Sequence, residues 1–117
     1  MNSVHYVGMD VDKEKIVVAK LTSAAKISDE CVIANTPQAV EKYFAALAKE
    51  EVMATYEAGC FGFGLYHQLT DLGVAAVVAA PGLIPRKPSD RMKTDRRDAR
   101  TLALALRAGQ LTAVHVV

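Results

Sequence analysis

Four acidic residues of this 117-residue chain could carry chemistry by their type and spacing: Asp10, Glu57, Asp95 and Asp98. Asp10 closes one apolar segment and Glu57 closes a later one, so two neighbouring parallel strands would bring both carboxylates to one edge of a sheet. Asp95 and Asp98 are three residues apart, which places both on one face of a helix. Clustered carboxylates repel one another unless cations neutralise them. We therefore expect these four acids to be catalytic and to form a divalent-metal site.

Magnesium is the expected ion, with manganese as a substitute, because Mg²⁺ prefers oxygen ligands and retains several waters. Two such ions about 3.5 to 4 Å apart can activate an attacking oxygen and stabilise a leaving one. Phosphodiester chemistry suits this arrangement. Each acid also has a structural interpretation, Asp10 as a turn residue and the others as partners of helix N-termini. The combination of the four favours the metal site.

A proline-containing basic segment surrounds the last two acids. Residues 86–100 carry seven basic side chains against three acids, a balance of +4 in a chain of net charge +1. A carboxylate site must still attract a polyanion, so this segment is predicted to bind the nucleic-acid backbone, although a solvated loop is the alternative. Prolines indicate irregular structure over residues 80–93. The predicted nucleic-acid ligands are Arg86, Lys87, Arg91, Lys93, Arg96, Arg97 and Arg100.

The apolar pattern predicts the elements that position these residues. Three helices are expected. The first begins after a cap at Thr36 and ends near Glu50, and the last begins after a cap at Thr94 and ends at Gly109. The second has its apolar positions at Phe61, Leu65, Leu69 and Leu72 and ends at Gly73. The last predicted strand is expected to be central, parallel and covered on both faces, and residues 114–117 to begin a further strand. The predicted strands are Val4–Met9, Ile16–Leu21, Cys31–Ala34, Val52–Tyr56 and Val74–Ala79.

This order predicts an α/β fold, a mixed sheet with helices on both faces, which is the layout of ribonuclease H-like domains. The length suits one domain, residues 1–117, and a content of 51% hydrophobic residues excludes a disordered chain. No apolar stretch reaches the roughly 20 residues that span a bilayer, and no targeting signal is recognisable, so a cytoplasmic protein is expected. Cys31 and Cys60 form no Cys-x-x-Cys pair and are expected to be buried reduced thiols.

Three segments resemble the DEDD transposases of bacterial insertion sequences, in the insertion sequence 110 family that includes the pilin-gene invertase. They are VGMDVDK at residues 7–13, YEAG at 56–59 and KTDRRDA at 93–99, the last being the most specific. The resemblance implies the fold of the Holliday-junction resolvase RuvC and a metal-dependent DNA transposase or site-specific recombinase. By similarity, the four acidic positions of that family are filled by Asp10, Glu57, Asp95 and Asp98.

The resemblance also implies partners and a larger protein. DNA is the implied substrate, an element-encoded guide RNA accompanies several family members, and the full-length protein is expected to be a homo-oligomer, a dimer or tetramer. Family members continue into a second domain carrying a serine implicated as nucleophile, so we expect residues 1–117 to be an N-terminal domain. Asp12 stands where a small polar residue is expected and could compete with Asp10 for metal. Asp10 is preferred because it ends the apolar strand.

Two other functions remain open on the sequence. Gly8, Met9 and Asp10, followed by a lysine-bearing hairpin, also resemble the first phosphate loop of an actin-like sugar kinase or ATPase. That hypothesis requires ATP binding, although no second Asp-x-Gly phosphate motif follows. A non-catalytic nucleic-acid-binding module would use the basic segment alone. It would lack saturable stabilisation by a metal ion, which separates it from a nuclease-type site.

Overall fold

The computed structural model describes residues 4–23, 29–47, 50–59, 62–81 and 97–116. Within these ranges no helix is long and apolar enough to cross a bilayer. The elements follow the predicted order of strands and helices. They are β1 (Val4–Val11), β2 (Lys15–Thr22), β3 (Asp29–Ala34), α1 (Pro37–Ala45), β4 (Glu51–Glu57), α2 (Gly64–Asp71), β5 (Ala75–Ala79) and α3 (Ala99–Ala108).

The strands form one mixed sheet in the order β3-β2-β1-β4-β5. β1 pairs antiparallel with β2 and parallel with β4, and β5 continues parallel to β4. The predicted hairpin between β1 and β2 is confirmed, with its turn closed by the Asp12 N–H donating to the Lys15 carbonyl at 2.8 Å. An antiparallel hairpin edge followed by parallel strands is the ribonuclease H-like arrangement, so the predicted fold class is confirmed.

Side chains alternate between two cores because successive residues of a strand face opposite sides of the sheet. On one side, Val7 and Met9 of β1 pack with Phe44 of α1 and Leu69 of α2 in the larger apolar cluster. On the other side, α3 packs against β2 through a smaller cluster built from Ala19, Leu21, Ala99 and Ala103. Helices therefore cover both faces of the sheet, as predicted.

Gly8 allows α3 to lie unusually close to the central strand. A Cβ atom at this position would stand 2.1 Å from the Ala99 carbonyl oxygen and 2.5 Å from the Ala103 nitrogen. Both atoms belong to the helix backbone, so no side-chain rotation could relieve the overlap. Helix α3 can therefore occupy this position only because residue 8 is a glycine, which has no Cβ.

The central strand is β1, and the prediction that Val74–Ala79 forms the centre of the sheet is wrong. Among the described residues β5 is the last strand on its side, joined only by an isolated bridge from Ala79 to Ala113. The expected strand over residues 114–117 is not formed by the described residues 114–116, although the Val114 N–H donates to the Val78 carbonyl next to the bridge. An apolar sequence cannot distinguish a central strand from an edge strand whose exposed side is partly covered.

Helix boundaries differ from the sequence prediction at several points. Thr36 caps α1 as expected, accepting from the Ala39 N–H at 3.1 Å, but α1 ends at Ala45 because the chain must turn into β4. Gly73 follows α2 with a φ of 79°, as expected, whereas Leu72 is 40% exposed and leaves the buried stripe. Phe61 lies outside the described residues.

Two further expectations are corrected. The cap of α3 is Asp98 and not Thr94, because residue 97 is not helical and the helix begins at Ala99. Its predicted end at Gly109 is confirmed by a left-handed backbone there. Cys31 is exposed, because it lies on the outermost strand β3, where most side chains face solvent. Cys60 lies outside the described residues.

We predict that Gly8→Ala lowers the free energy of unfolding by about 1–3 kcal/mol, the usual cost of overpacking. The added methyl group must push α3 away from β1. Urea denaturation followed by circular dichroism measures the change. Gly64→Ala is the matched control, because a Cβ at Gly64 meets nothing within 4 Å. Equal stability of the Gly8→Ala variant and the native chain would contradict the close packing.

Candidate metal site

Asp10 and Glu57 emerge on the same face and at the same edge of the sheet. The parallel register pairs Gly8 with Thr55 and Met9 with Tyr56, so Asp10 stands opposite Glu57 at the next position. Asp10 is two residues beyond Gly8, whose Cα faces α3, and the alternation of strand residues points Asp10 towards the same side. The parallel pairing of β1 and β4 thus brings these two carboxylates together.

Both carboxylates line a cavity of about 560 Å³ at the carboxyl ends of β1 and β4. Its polar side also includes Arg97, and its apolar side is formed by residues such as Val11, Leu65 and Leu102. Asp12 lies in the hairpin turn and does not line the cavity. Asp10 is therefore the acid of the first strand that faces the site.

Glu57 is held in place by Arg97 through two kinds of contact. The Arg97 backbone N–H donates to Glu57 Oε1 at 2.6 Å, and guanidinium Nη2 stands 3.5 Å from Glu57 Oε2. The same Nη2 donates to the Ala80 carbonyl at 2.8 Å. The Glu57 side chain is only 8% exposed, and a carboxylate so buried requires a compensating positive charge. Arg97 supplies that charge.

Asp98 lies next to this contact but serves as the cap of α3. Its Oδ1 accepts from the Thr101 N–H at 2.7 Å, and the residue is exposed. This hydrogen bond, with the neighbouring Arg100 adding a smaller effect, lowers the pKa of Asp98 below its ordinary value. Asp98 does not line the cavity. It starts the helix that packs above the cavity, one residue from the Arg97 contact with Glu57.

Asp95, the fourth predicted ligand, lies outside the described residues. Across the ranges that the structure does describe, no three His, Cys, Asp or Glu side chains are grouped closely enough to hold a metal ion. Asp10 and Glu57 form the acidic pair at the cavity. Carboxylate oxygens are the donors that a hard divalent cation prefers, so the chemistry of this pair fits the predicted ion.

The predicted nucleic-acid ligands are only partly within the described residues. Arg100 is exposed in the first turn of α3, beside Asp98. Arg97 points inward to Glu57 and the Ala80 carbonyl, with its side chain 24% exposed. The remaining five predicted contacts lie outside the described residues: Arg86, Lys87, Arg91, Lys93 and Arg96.

Tyr56 connects β4 with the start of α2 beside the cavity, a role that the sequence analysis did not assign. Its hydroxyl donates to the Gly62 carbonyl at 3.3 Å and accepts from the Tyr66 N–H at 3.2 Å. Burial raises the pKa of Tyr56, which keeps the phenol protonated and able to donate. The only sequence signal for this role of Tyr56 is its position directly before Glu57. The position of Arg97 had no comparable signal, because it depends on how α3 packs.

The fold is that of a ribonuclease H-like domain, and two of its carboxylates line a cavity at the carboxyl ends of β1 and β4. The sequence model of the DEDD transposases of the IS110 type, described as a transposase, matches residues 7–117. The chain belongs to this transposase family. The resemblance inferred from the three sequence segments is thereby confirmed, and neither the actin-like kinase nor the non-catalytic module is favoured.

Two curated relatives agree with this assignment. The chain is 44% identical over 109 residues to the transposase for insertion sequence element IS1533 of Leptospira borgpetersenii, covering 91% of this chain and 32% of that protein. It is 43% identical over 121 residues to the putative transposase y4qE of Sinorhizobium fredii (strain NBRC 101917 / NGR234), covering 95% and 30%. The chain thus spans about a third of the length of these relatives.

We predict that the capping contribution of Asp98 disappears in acid. Because the folded-state pKa of Asp98 is depressed, its carboxylate stabilises the fold at pH values above the unfolded pKa, and this stability is lost as pH falls through the folded pKa. Asn also caps helices but cannot titrate. Without metal, Asp98→Asn should therefore be less stable than the native chain at neutral pH, by roughly 0.3–1 kcal/mol, and the gap should close below about pH 4.

Urea denaturation in a chelator, repeated at pH values between about 7 and about 3, measures this gap. Asp71→Asn is the matched control for a general effect of removing an acid, because Asp71 lies at the end of α2 and does not cap the start of a helix. A gap that stays constant down to the lowest pH would contradict the assignment of Asp98 as a charged cap.

Proposed function

We propose that this chain is the catalytic domain of a DNA transposase or site-specific recombinase that cleaves and joins DNA strands with divalent metal ions. The observation that carries the proposal is the meeting of Asp10 and Glu57 on one face, at the carboxyl ends of adjacent parallel strands, in a cavity of about 560 Å³. Open α/β sheets commonly place their sites at this edge. Complete strand transfer is proposed to require the longer protein of which the relatives are examples.

The proposed metal ligands are Asp10, Glu57, Asp95 and Asp98, with Mg²⁺ as the ion and Mn²⁺ as its substitute. When bound, the ions would activate the attacking oxygen and stabilise the leaving oxygen of a phosphodiester. The chain's own contacts hold the acids: the Arg97 N–H orients Glu57, and the Thr101 N–H orients Asp98. Leu65 and Leu102 add apolar surface to the lining of the same cavity.

DNA is the proposed substrate, because the relatives are named transposases and because a basic segment adjoins the acids. An element-encoded guide RNA and a homo-oligomer, a dimer or tetramer, are proposed for the full-length protein. Arg100 supports the DNA proposal most directly, since it is exposed in the first turn of α3, two residues from Asp98. A backbone phosphate at this place would lie beside the proposed metal ligands.

We predict that Mn²⁺ and Mg²⁺ stabilise the native chain saturably and that Asp10→Asn weakens this effect strongly. A ligand at 100 times its dissociation constant stabilises a fold by about 2.7 kcal/mol, and a lost carboxylate ligand should remove most of that gain. Thermal unfolding at increasing metal concentration measures it. Asp95→Asn and Asp98→Asn should act in the same direction. Glu30→Gln, an exposed acid on β3, is the matched control.

The result that would overturn the metal site is a stabilisation by Mn²⁺ that Asp10→Asn and Glu30→Gln leave equally intact. The same unfolding measurement in a chelator shows how far Asp10→Asn changes the metal-free fold, which separates a loss of metal binding from a loss of folding. A marked loss of stability in chelator would mean that Asp10 has a structural role instead.

We predict that Arg100→Ala weakens DNA binding and reduces the slope of log affinity against log salt by about 1, the expected loss of one phosphate contact. Fluorescence anisotropy with labelled duplex DNA at several salt concentrations measures both quantities. Lys42→Ala, an exposed cation on α1 across the sheet, should change neither. If the two variants behave alike, the face that carries α3 does not bind DNA.

A further inference from the structure

The Arg97 side chain occupies the position where a cation beside Glu57 would be expected. Its Nη2 is 3.5 Å from Glu57 Oε2, and both residues line the same cavity as Asp10. The chain therefore already contains one positive charge at its acidic site. Any divalent ion that binds Glu57 must come close to this guanidinium.

The two oxygens of Glu57 are held very differently. Oε1 accepts from the Arg97 backbone N–H at 2.6 Å, a short hydrogen bond that positions the carboxylate. Oε2 is 3.5 Å from Nη2, beyond the usual 2.7–3.2 Å of an N–H···O hydrogen bond. The guanidinium is held more tightly by the Ala80 carbonyl, at 2.8 Å. Moving the guanidinium away from Oε2 would lengthen a contact that is already long, while the shorter hydrogen bonds to Oε1 and to the Ala80 carbonyl remain.

We propose that Arg97 is a positioning residue that acts as a built-in counter-ion: its guanidinium compensates Glu57 in the metal-free chain and competes with a divalent cation for Glu57 Oε2. The backbone N–H keeps Oε1 oriented in both states. This inference rests on the proposed function, since it takes Glu57 to be a metal ligand. It also reassigns Arg97 from the predicted DNA contacts to the interior of the site.

The burial of the pair explains why such a counter-ion is needed. The side chain of Glu57 is 8% exposed and that of Arg97 is 24% exposed, so the carboxylate would be poorly solvated without a partner. Nε of Arg97 is buried and has no hydrogen-bond partner among the described residues. A guanidinium with only part of its donors engaged, and anchored on Ala80, can move away from Oε2 without leaving the cavity wall.

The deciding experiment measures Mn²⁺ affinity by calorimetry for the native chain, Arg97→Met and Arg97→Lys. Met keeps the backbone N–H and much of the side-chain volume but removes the charge, so Arg97→Met should bind Mn²⁺ more tightly, on the order of tenfold. Lys keeps the charge, so Arg97→Lys should stay close to the native affinity. A merely structural role for Arg97 would instead weaken metal binding in the Met variant.

Each outcome decides between the hypotheses. If native chain and Arg97→Met bind Mn²⁺ equally, or the variant binds more weakly, the counter-ion inference is wrong while the metal site stands. If neither binds Mn²⁺ saturably, the proposed function fails together with the inference. Tighter binding in Arg97→Met but not in Arg97→Lys supports both.

A second measurement on the native chain covers the case in which Arg97→Met does not fold. The Nε–H resonance of Arg97, assigned in a chelator, should shift and exchange faster with solvent during a Mg²⁺ titration, because the guanidinium leaves Oε2. The Arg107 resonance is the internal control, since Arg107 donates to the Thr22 carbonyl at 3.1 Å. An unchanged Arg97 resonance at saturating Mg²⁺ would overturn the proposed competition.

Discussion

The close approach of α3 to the central strand at Gly8 is the constraint on which the site depends. The backbone of the helix comes so near that a Cβ at Gly8 would overlap the Ala99 carbonyl. Because α3 begins immediately after Asp98, this packing also determines where Arg97 lies, and Arg97 reaches Glu57 across the end of β4. A small shift of the helix would therefore alter the contact between Arg97 and Glu57. The packing of α3 on β1 and the contact between Arg97 and Glu57 therefore depend on each other.

The site joins segments that are distant along the chain. β1 provides Asp10, β4 provides Glu57, and the start of α3 provides Arg97, while the carbonyl of Ala80 after β5 anchors the guanidinium. Each segment is ordinary alone: a strand end, a strand end and a helix start. Electrostatic attraction connects these segments, because a carboxylate as buried as that of Glu57 is stabilised by a neighbouring positive charge. In the metal-free chain that charge comes from the protein itself.

This arrangement of acids and a neighbouring guanidinium agrees with membership of the transposase family. A site assembled from acids faces a conflict, since the same repulsion that draws cations also disfavours the empty fold. Under the proposed function, the Arg97 guanidinium would compensate Glu57 until a divalent cation binds. The helix cap at Asp98 works in parallel, because its hydrogen bond to Thr101 stabilises the charged form of a further acid.

The sequence alone determined the order of elements, the fold class, the family and the candidate acids, because apolar periodicity, strand-end carboxylates and the KTDRRDA segment are local signals. It placed the sheet centre at Val74–Ala79 and the α3 cap at Thr94, whereas β1 is central and Asp98 is the cap. Only tertiary structure decided these points, and with them the inward orientation of Arg97. Strand order, helix approach and ion pairing depend on contacts between residues tens of positions apart, which no local pattern encodes.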